Sequence, residues 1–128
     1  RKGDDLALLR PIHPEGFKAA IVSSRPPRLG EECWTCGTSG GVERSLDRTV
    51  VNRTDYPALG KRWTLVNGNA WSGGSGGGMF IRDGGRWALA GTVARGAYDS
   101  ERSPTMCQPW VAIVRMLKTY EKAKGVAK

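Results

Sequence analysis

The sequence predicts an all-β fold, a barrel or sandwich, closed by one C-terminal helix, and three observations carry that expectation. Short apolar runs recur along the chain, each bounded by glycine, proline or aspartate clusters, which is the pattern of strands joined by turns. The 18 glycines are many for 128 residues, and they concentrate in 37–41 and 68–78, where turns and a loop are expected. Near the C-terminus the period changes: Trp110, Ile113, Val114 and Leu117 fall at helical spacing.

Taken in order, strands are expected at 6–9, 19–22, 34–36, 49–51, 63–66, 79–82 and 87–94. A closing helix is expected over 109–122, with Pro109 in its first turn, where a missing N–H costs nothing. The length fits one domain with a modest core. No repeat is evident, and no apolar run approaches the length of a membrane span.

One segment has the composition of a reactive site. In Trp71-Ser-Gly-Gly-Ser-Gly-Gly-Gly-Met-Phe-Ile81, a serine stands at the tip of a glycine run that leads at once into an apolar strand. Glycines on both sides let the backbone take positive φ and approach a substrate closely. They also leave successive N–H groups free to converge on one spot, as an oxyanion hole requires. Glycine/serine runs are commonly flexible linkers. A linker joins independent segments, however, and this run continues directly into Met79-Phe80-Ile81 and Arg86–Val93.

A second segment is Gly3-Asp4-Asp5-Leu6-Ala7-Leu8-Leu9-Arg10-Pro11, in which an acidic residue opens an apolar run ending at proline. With the glycine-flanked serine, it resembles the trypsin-like (chymotrypsin-fold) serine peptidases. In that family the catalytic aspartate opens an Asp-Ile/Leu-Ala-Leu-Leu strand, and the nucleophile lies in Gly-Asp-Ser-Gly-Gly-Pro. Trp87-Ala-Leu-Ala-Gly-Thr-Val-Ala-Arg-Gly96 resembles the family's strand along the substrate, and Gly30-Glu-Glu-Cys-Trp-Thr-Cys-Gly-Thr-Ser-Gly-Gly41 its glycine-rich strand opening the second barrel. The resemblance implies a chymotrypsin-like β-barrel, the second barrel plus the last strand of the first, with a C-terminal α-helix. It divides the chain into the end of a first barrel and a linker (1–29), a nucleophile-bearing barrel (30–108), and a helix with a basic tail (109–128). The implied catalytic residues are Asp5 and Ser75, with the N–H groups of Gly73 and Ser75 forming the oxyanion hole.

Serine chemistry needs a histidine to take the hydroxyl proton and an aspartate to orient it. In the family the histidine precedes the aspartate. The only histidine here, His13, follows Asp5 in the turn-like Pro11-Ile-His-Pro-Glu-Gly16, and is expected at the surface. The base is therefore expected on a separate N-terminal chain, this chain being the C-terminal part of a cleaved or split peptidase. The chain opens without initiator methionine, signal peptide or first barrel, in keeping with that expectation. The competing expectation is a homologue that has lost catalysis and serves as a binding or regulatory module.

The motif departs from the animal enzymes at three places. Gly74 replaces the aspartate before the nucleophile, Gly78 the proline after it, and Trp71 a half-cystine. With the short span 41–69, these departures place the chain nearer the compact microbial type. Asn69 falls where the family sets its pocket-floor charge, which implies a neutral pocket. Ala94-Arg95-Gly96 matches the edge that pairs with substrate, and Arg95 there is expected to favour acidic side chains nearby.

The remaining composition is less specific. Lys and Arg number 20 against 12 Asp and Glu, a net +8, but the basic residues are spread along the chain without nucleic-acid motifs. No nucleic-acid or membrane partner is expected. A basic β-domain binding polyanions, the glycine run being a linker, is the third functional class. Cys33-x-x-Cys36 fits half a zinc site, a redox pair or a disulfide, but closing a zinc site would need both Cys107 and His13. No metal or cofactor is expected. An odd cysteine count permits a bridge to another chain, and a secreted or periplasmic location is favoured.

Overall fold

A computed structural model describes residues 5–39, 43–68, 75–96 and 104–126. Its strands are β1 (Ile21–Val22), β2 (Glu32–Ser39), β3 (Glu43–Ala58), β4 (Lys61–Val66), β5 (Gly78–Asp83), β6 (Arg86–Gly96) and β7 (Thr105–Pro109), followed by α1 (Trp110–Val126). The sheet order is β1-β6-β5-β2-β3-β4-β7, and an additional β6–β7 pairing closes six antiparallel strands into a barrel. Closure leaves no unpaired edge along most of the sheet, which removes the aggregation hazard of an open one. β1 adds two residues parallel to Ala88 and Leu89 of β6.

Alternation builds the interior. Cys33, Val51, Val66, Met79, Ile81, Ala90, Val93 and Cys107 point inward from different strands and form one buried cluster. Outside it, Trp63, Leu65 and Met106 form a second cluster against Tyr56, Ala58 and Ala94. Trp63 holds its place by donating its indole N–H to the carbonyl of Ala58 at 2.8 Å. Along α1, Ala112 and Ile113 are the most deeply buried residues, and the helix packs on β6 and β7. Its first residue, Trp110, donates Nε1–H to Ser23 O at 2.7 Å, tying the helix to the segment after β1.

Most expected elements are present, with three differences. The run 49–51 is the middle of a 16-residue strand, β3. Pro109 ends β7 rather than opening the helix, which runs on to Val126. The expected strand at 6–9 is not formed: residues 5–20 contain no helix or strand, and Leu8, Leu9, Ile12 and Phe17 are exposed. Strand geometry persists only where a neighbour takes the backbone hydrogen bonds, and no described strand lies beside this segment.

The segment after β1 is anchored by charge. Arg25 grips Glu31 through both nitrogens, at 3.0 and 2.6 Å, and also donates to Arg82 O. Asp83, the last residue of β5, accepts from the Ser24 N–H and hydroxyl, each at 2.8 Å. Hydrogen bonding from Arg25 holds the Glu31 carboxyl below its ordinary range, and the Ser24 N–H and hydroxyl do the same for Asp83. A depressed carboxylate stabilises the fold above its unfolded pKa, and that contribution is lost as pH falls through the folded value. The unfolding midpoint is therefore expected to be steady above about pH 5 and to fall progressively below about pH 4.5. In Glu31→Gln, a loss of about 1–3 kcal/mol at neutral pH is expected, with a shallower decline in acid; thermal melts across pH 3–7 check both.

Candidate active site

Ser75 and Gly76 form a turn directly before β5. Gly76 takes φ +90°, where side chains are strained, and donates its N–H to Val93 O at 2.7 Å. Val93 returns its own N–H to Gly77 O at 2.8 Å. These two bonds extend the β5–β6 ladder past Gly78, whose register partner is Thr92, so the turn is seated on β6. From the other side β2 closes in: a Cβ on Gly77 would lie 1.8 Å from Cys36 O. The Ser75 turn thus lies between two strands, at a spacing that only glycine permits.

The exposed Ser75 hydroxyl donates to Ala94 O at 2.8 Å. A bulge makes that carbonyl available. On β6, Val93 pairs with Cys107 and Arg95 with Met106, and the register shifts between them. The extra residue, Ala94, is left outside that ladder; such bulges re-aim backbone groups locally. Past Val93 no described strand pairs with the β5-facing side of β6, so Ala94, Arg95 and Gly96 present a backbone edge beginning at Ser75. Arg95 is exposed, and Ala94 and Gly96 are half-buried.

The other expected site residues are placed differently. Asp5 is exposed at the start of the irregular segment, and His13 is exposed within it. Among the described residues no hydrogen bond or ion pair joins Asp5, His13 and Ser75. Gly73 and Asn69 lie outside the described residues. Cys33 and Cys107 are fully buried on β2 and β7, and all three cysteines are free. Burial pushes the Cys33 thiol up to about 12 and raises that of Cys107 as well, so both are inert core residues. Only half-buried Cys36 has access to another chain. Among the described residues no group of three or more His, Cys, Asp or Glu could hold a metal, and no helix is long and apolar enough to cross a membrane.

No family model matches the sequence, and no curated protein does. Solved structures do match. Two forms of the HtrA-type protease AlgW, each with a decapeptide, superpose on 80% of this chain with TM-scores of 0.61 and 0.62, at 17% and 19% identity. The active form of the Rv3671c protease from M. tuberculosis superposes on 73%, with a TM-score of 0.57 and 16% identity. The fold is the chymotrypsin-like barrel.

The expected fold class therefore holds, a chymotrypsin-like barrel with its C-terminal helix. The chain spans 32% and 33% of the two AlgW chains and 44% of the Rv3671c protease, so it corresponds to a part of those proteins. Within the chymotrypsin-like barrel, the turn before β5 and the bulged end of β6 are the two features that meet at an exposed hydroxyl. The bulge was hidden from the sequence, because Ala94 differs from its neighbours only in which strand its carbonyl faces.

Proposed function

We propose that this chain is the nucleophile-bearing part of a serine endopeptidase, acting through an acyl-enzyme at Ser75, with the general-base histidine on a separate N-terminal chain. The observation that carries the reading is the exposed Ser75 hydroxyl held at 2.8 Å from Ala94 O, where the free edge of β6 begins. An extended peptide adds to Ala94–Gly96 by main-chain hydrogen bonds, and its scissile carbonyl then lies at the serine. The decapeptide in both AlgW structures supports a peptide as the ligand class. The partner's histidine takes the hydroxyl proton as the Oγ–carbon bond forms, then returns it to the departing amine as the peptide bond breaks. Water hydrolyses the resulting ester with the same histidine as base. The N–H groups of Ser75 and Gly73 are assigned to the oxyanion, and Asp5, which has no partner among the described residues, to orienting the incoming histidine.

Exposed apolar side chains support a missing neighbour. Leu9, Ile12 and Phe17 are 84%, 90% and 73% exposed; clustered in one irregular segment, they form the kind of apolar surface that another chain covers.

The test is intact-mass spectrometry of the natively purified protein after a fluorophosphonate probe. One probe adduct on this chain, absent from Ser75→Ala and dependent on a co-purifying chain, is the expected result. An unmodified chain with that partner present would end the catalytic reading and leave the binding module.

A further inference from the structure

An antiparallel barrel packs one face of its sheet inward and turns the other to solvent, where polar side chains are expected. Across β2, β5 and β6 that outer face is aromatic instead. Cys33, Met79, Ile81 and Ala90 point into the core cluster, so alternation turns Trp34, Phe80, Arg82 and Trp87 outward. Register sets them side by side: Trp34 opposite Phe80, Phe80 opposite Leu89, and Arg82 opposite Trp87. The Trp34 and Trp87 rings meet edge to face, with centroids 6.2 Å apart, and the Arg82 guanidinium lies 5.2 Å from the Trp87 ring centre. Trp87 is 39% exposed, and Leu46 and Val50 on the neighbouring β3 are exposed as well.

These tryptophans differ from those that hold the fold together. Trp63 and Trp110 each donate an indole N–H to a main-chain carbonyl, of Ala58 and of Ser23. The indole N–H of Trp34 has no acceptor among the described residues, although a buried indole N–H ordinarily finds one. The charge around the rings is positive. Nearby carboxylates are engaged within the chain: Glu31 by Arg25, Asp83 by Ser24, and Glu32 by Arg48, the register partner of Trp34. Arg82 and Arg86 are exposed and have no ion pair among the described residues. On a chain of net +8, a second copy of this cationic face is repelled rather than bound.

We propose that this face binds single-stranded nucleic acid, with bases stacking on Trp87 and Trp34 and phosphates running past Arg82 and Arg86. Aromatic rings flanked by cations on a sheet face suit that ligand, because every base offers a π-face and every linkage a negative charge. When a base takes the Trp87 ring face, the Arg82 guanidinium swings out to the phosphate beside it. An acidic polypeptide offers the charge without a regular series of rings. No nucleic-acid partner is expected from the sequence, where these cations are dispersed; the barrel brings Trp34, Arg48, Arg82 and Trp87 from four strands onto one face. Binding here is independent of the peptidase reading of Ser75.

The test is a titration of the full chain with an oligothymidylate of about 12 nucleotides, within the usual site size of a barrel. Tryptophan fluorescence gives the affinity, and NMR shifts at the amides of Trp34, Phe80, Arg82 and Trp87 give the place. An abasic strand of the same length carries the same phosphates without bases, and a duplex holds its bases stacked inside; these are the controls. Saturable quenching by the single strand, tighter than by either control, is expected, with a log–log salt slope of about −0.7 for each phosphate held. Trp87→Leu is expected to weaken binding about tenfold and Trp87→Phe to retain most of it, while Arg82→Gln flattens the salt slope. No binding, equal binding of either control, an unchanged affinity in Trp87→Leu, or shifts confined to α1 would overturn the inference.

Discussion

Gly77→Ala is expected to reduce stability and the fluorophosphonate reactivity of Ser75 together. Its Cβ would lie 1.8 Å from Cys36 O, 2.9 Å from Cys36 C and 3.1 Å from Gly37 Cα. All three are backbone atoms of β2, so no side-chain rotation relieves the clash, and the turn must move away from the strand. Forced overpacking of this kind costs about 1–3 kcal/mol or more. A displacement of about 1 Å at a nucleophile can cost on the order of a hundredfold in rate. Gly76 is the internal comparison: at φ +90° it is strained for any side chain, yet a Cβ there meets nothing within 4 Å. Gly76→Ala is therefore expected to cost about 1–2 kcal/mol of backbone strain and to slow labelling less. Thermal melts and fluorophosphonate rates on both variants check the ordering. Equal effects would mean that the approach of β2 is not what shapes the turn.

Met79→Ala is expected to show the reverse balance, a large loss of stability with a smaller effect on the site. Met79 is fully buried in the barrel cluster, and its methyl lies 2.9 Å from where a Cβ on Gly91 would be. Deleting such a side chain removes its burial and leaves a cavity, a loss of about 2–5 kcal/mol. That is a large fraction of the roughly 5–15 kcal/mol that holds a domain folded. The hydrogen bonds Gly76 N–Val93 O and Val93 N–Gly77 O are main-chain bonds two to three residues away, and they survive if the barrel does. Urea titration gives the stability change through the midpoint. A labelling rate reduced as far as in Gly77→Ala would show that the turn depends on the core rather than on its own hydrogen bonds.

Much of the fold was legible because side-chain periodicity is a local property. The apolar runs at 34–36, 63–66, 79–82 and 87–94 became β2, β4, β5 and β6, and the spacing of Trp110, Ile113, Val114 and Leu117 became α1. The Ser75 turn was legible for the same reason, since only a glycine run permits Gly76 its positive φ and Gly77 its contact with Cys36 O. β7 was not legible. Thr105, Met106, Cys107 and Gln108 are all buried, so the strand has no solvent-facing side and no apolar–polar alternation to betray it. The run at 6–9 erred in the opposite direction: its pattern is strand-like, but a strand is a relation between two segments, and this one has no described neighbour.

By itself the sequence determined which stretches extend, which one coils, and which serine is held among glycines, because those depend on residues a few positions apart. The tertiary structure alone decided how the strands close, through the β6–β7 pairing. It also decided that the bulge at Ala94 turns a carbonyl to Ser75, and that Trp34 meets Trp87 across β5. Those juxtapositions join residues distant in the chain, and they follow from register and closure, which no local pattern encodes.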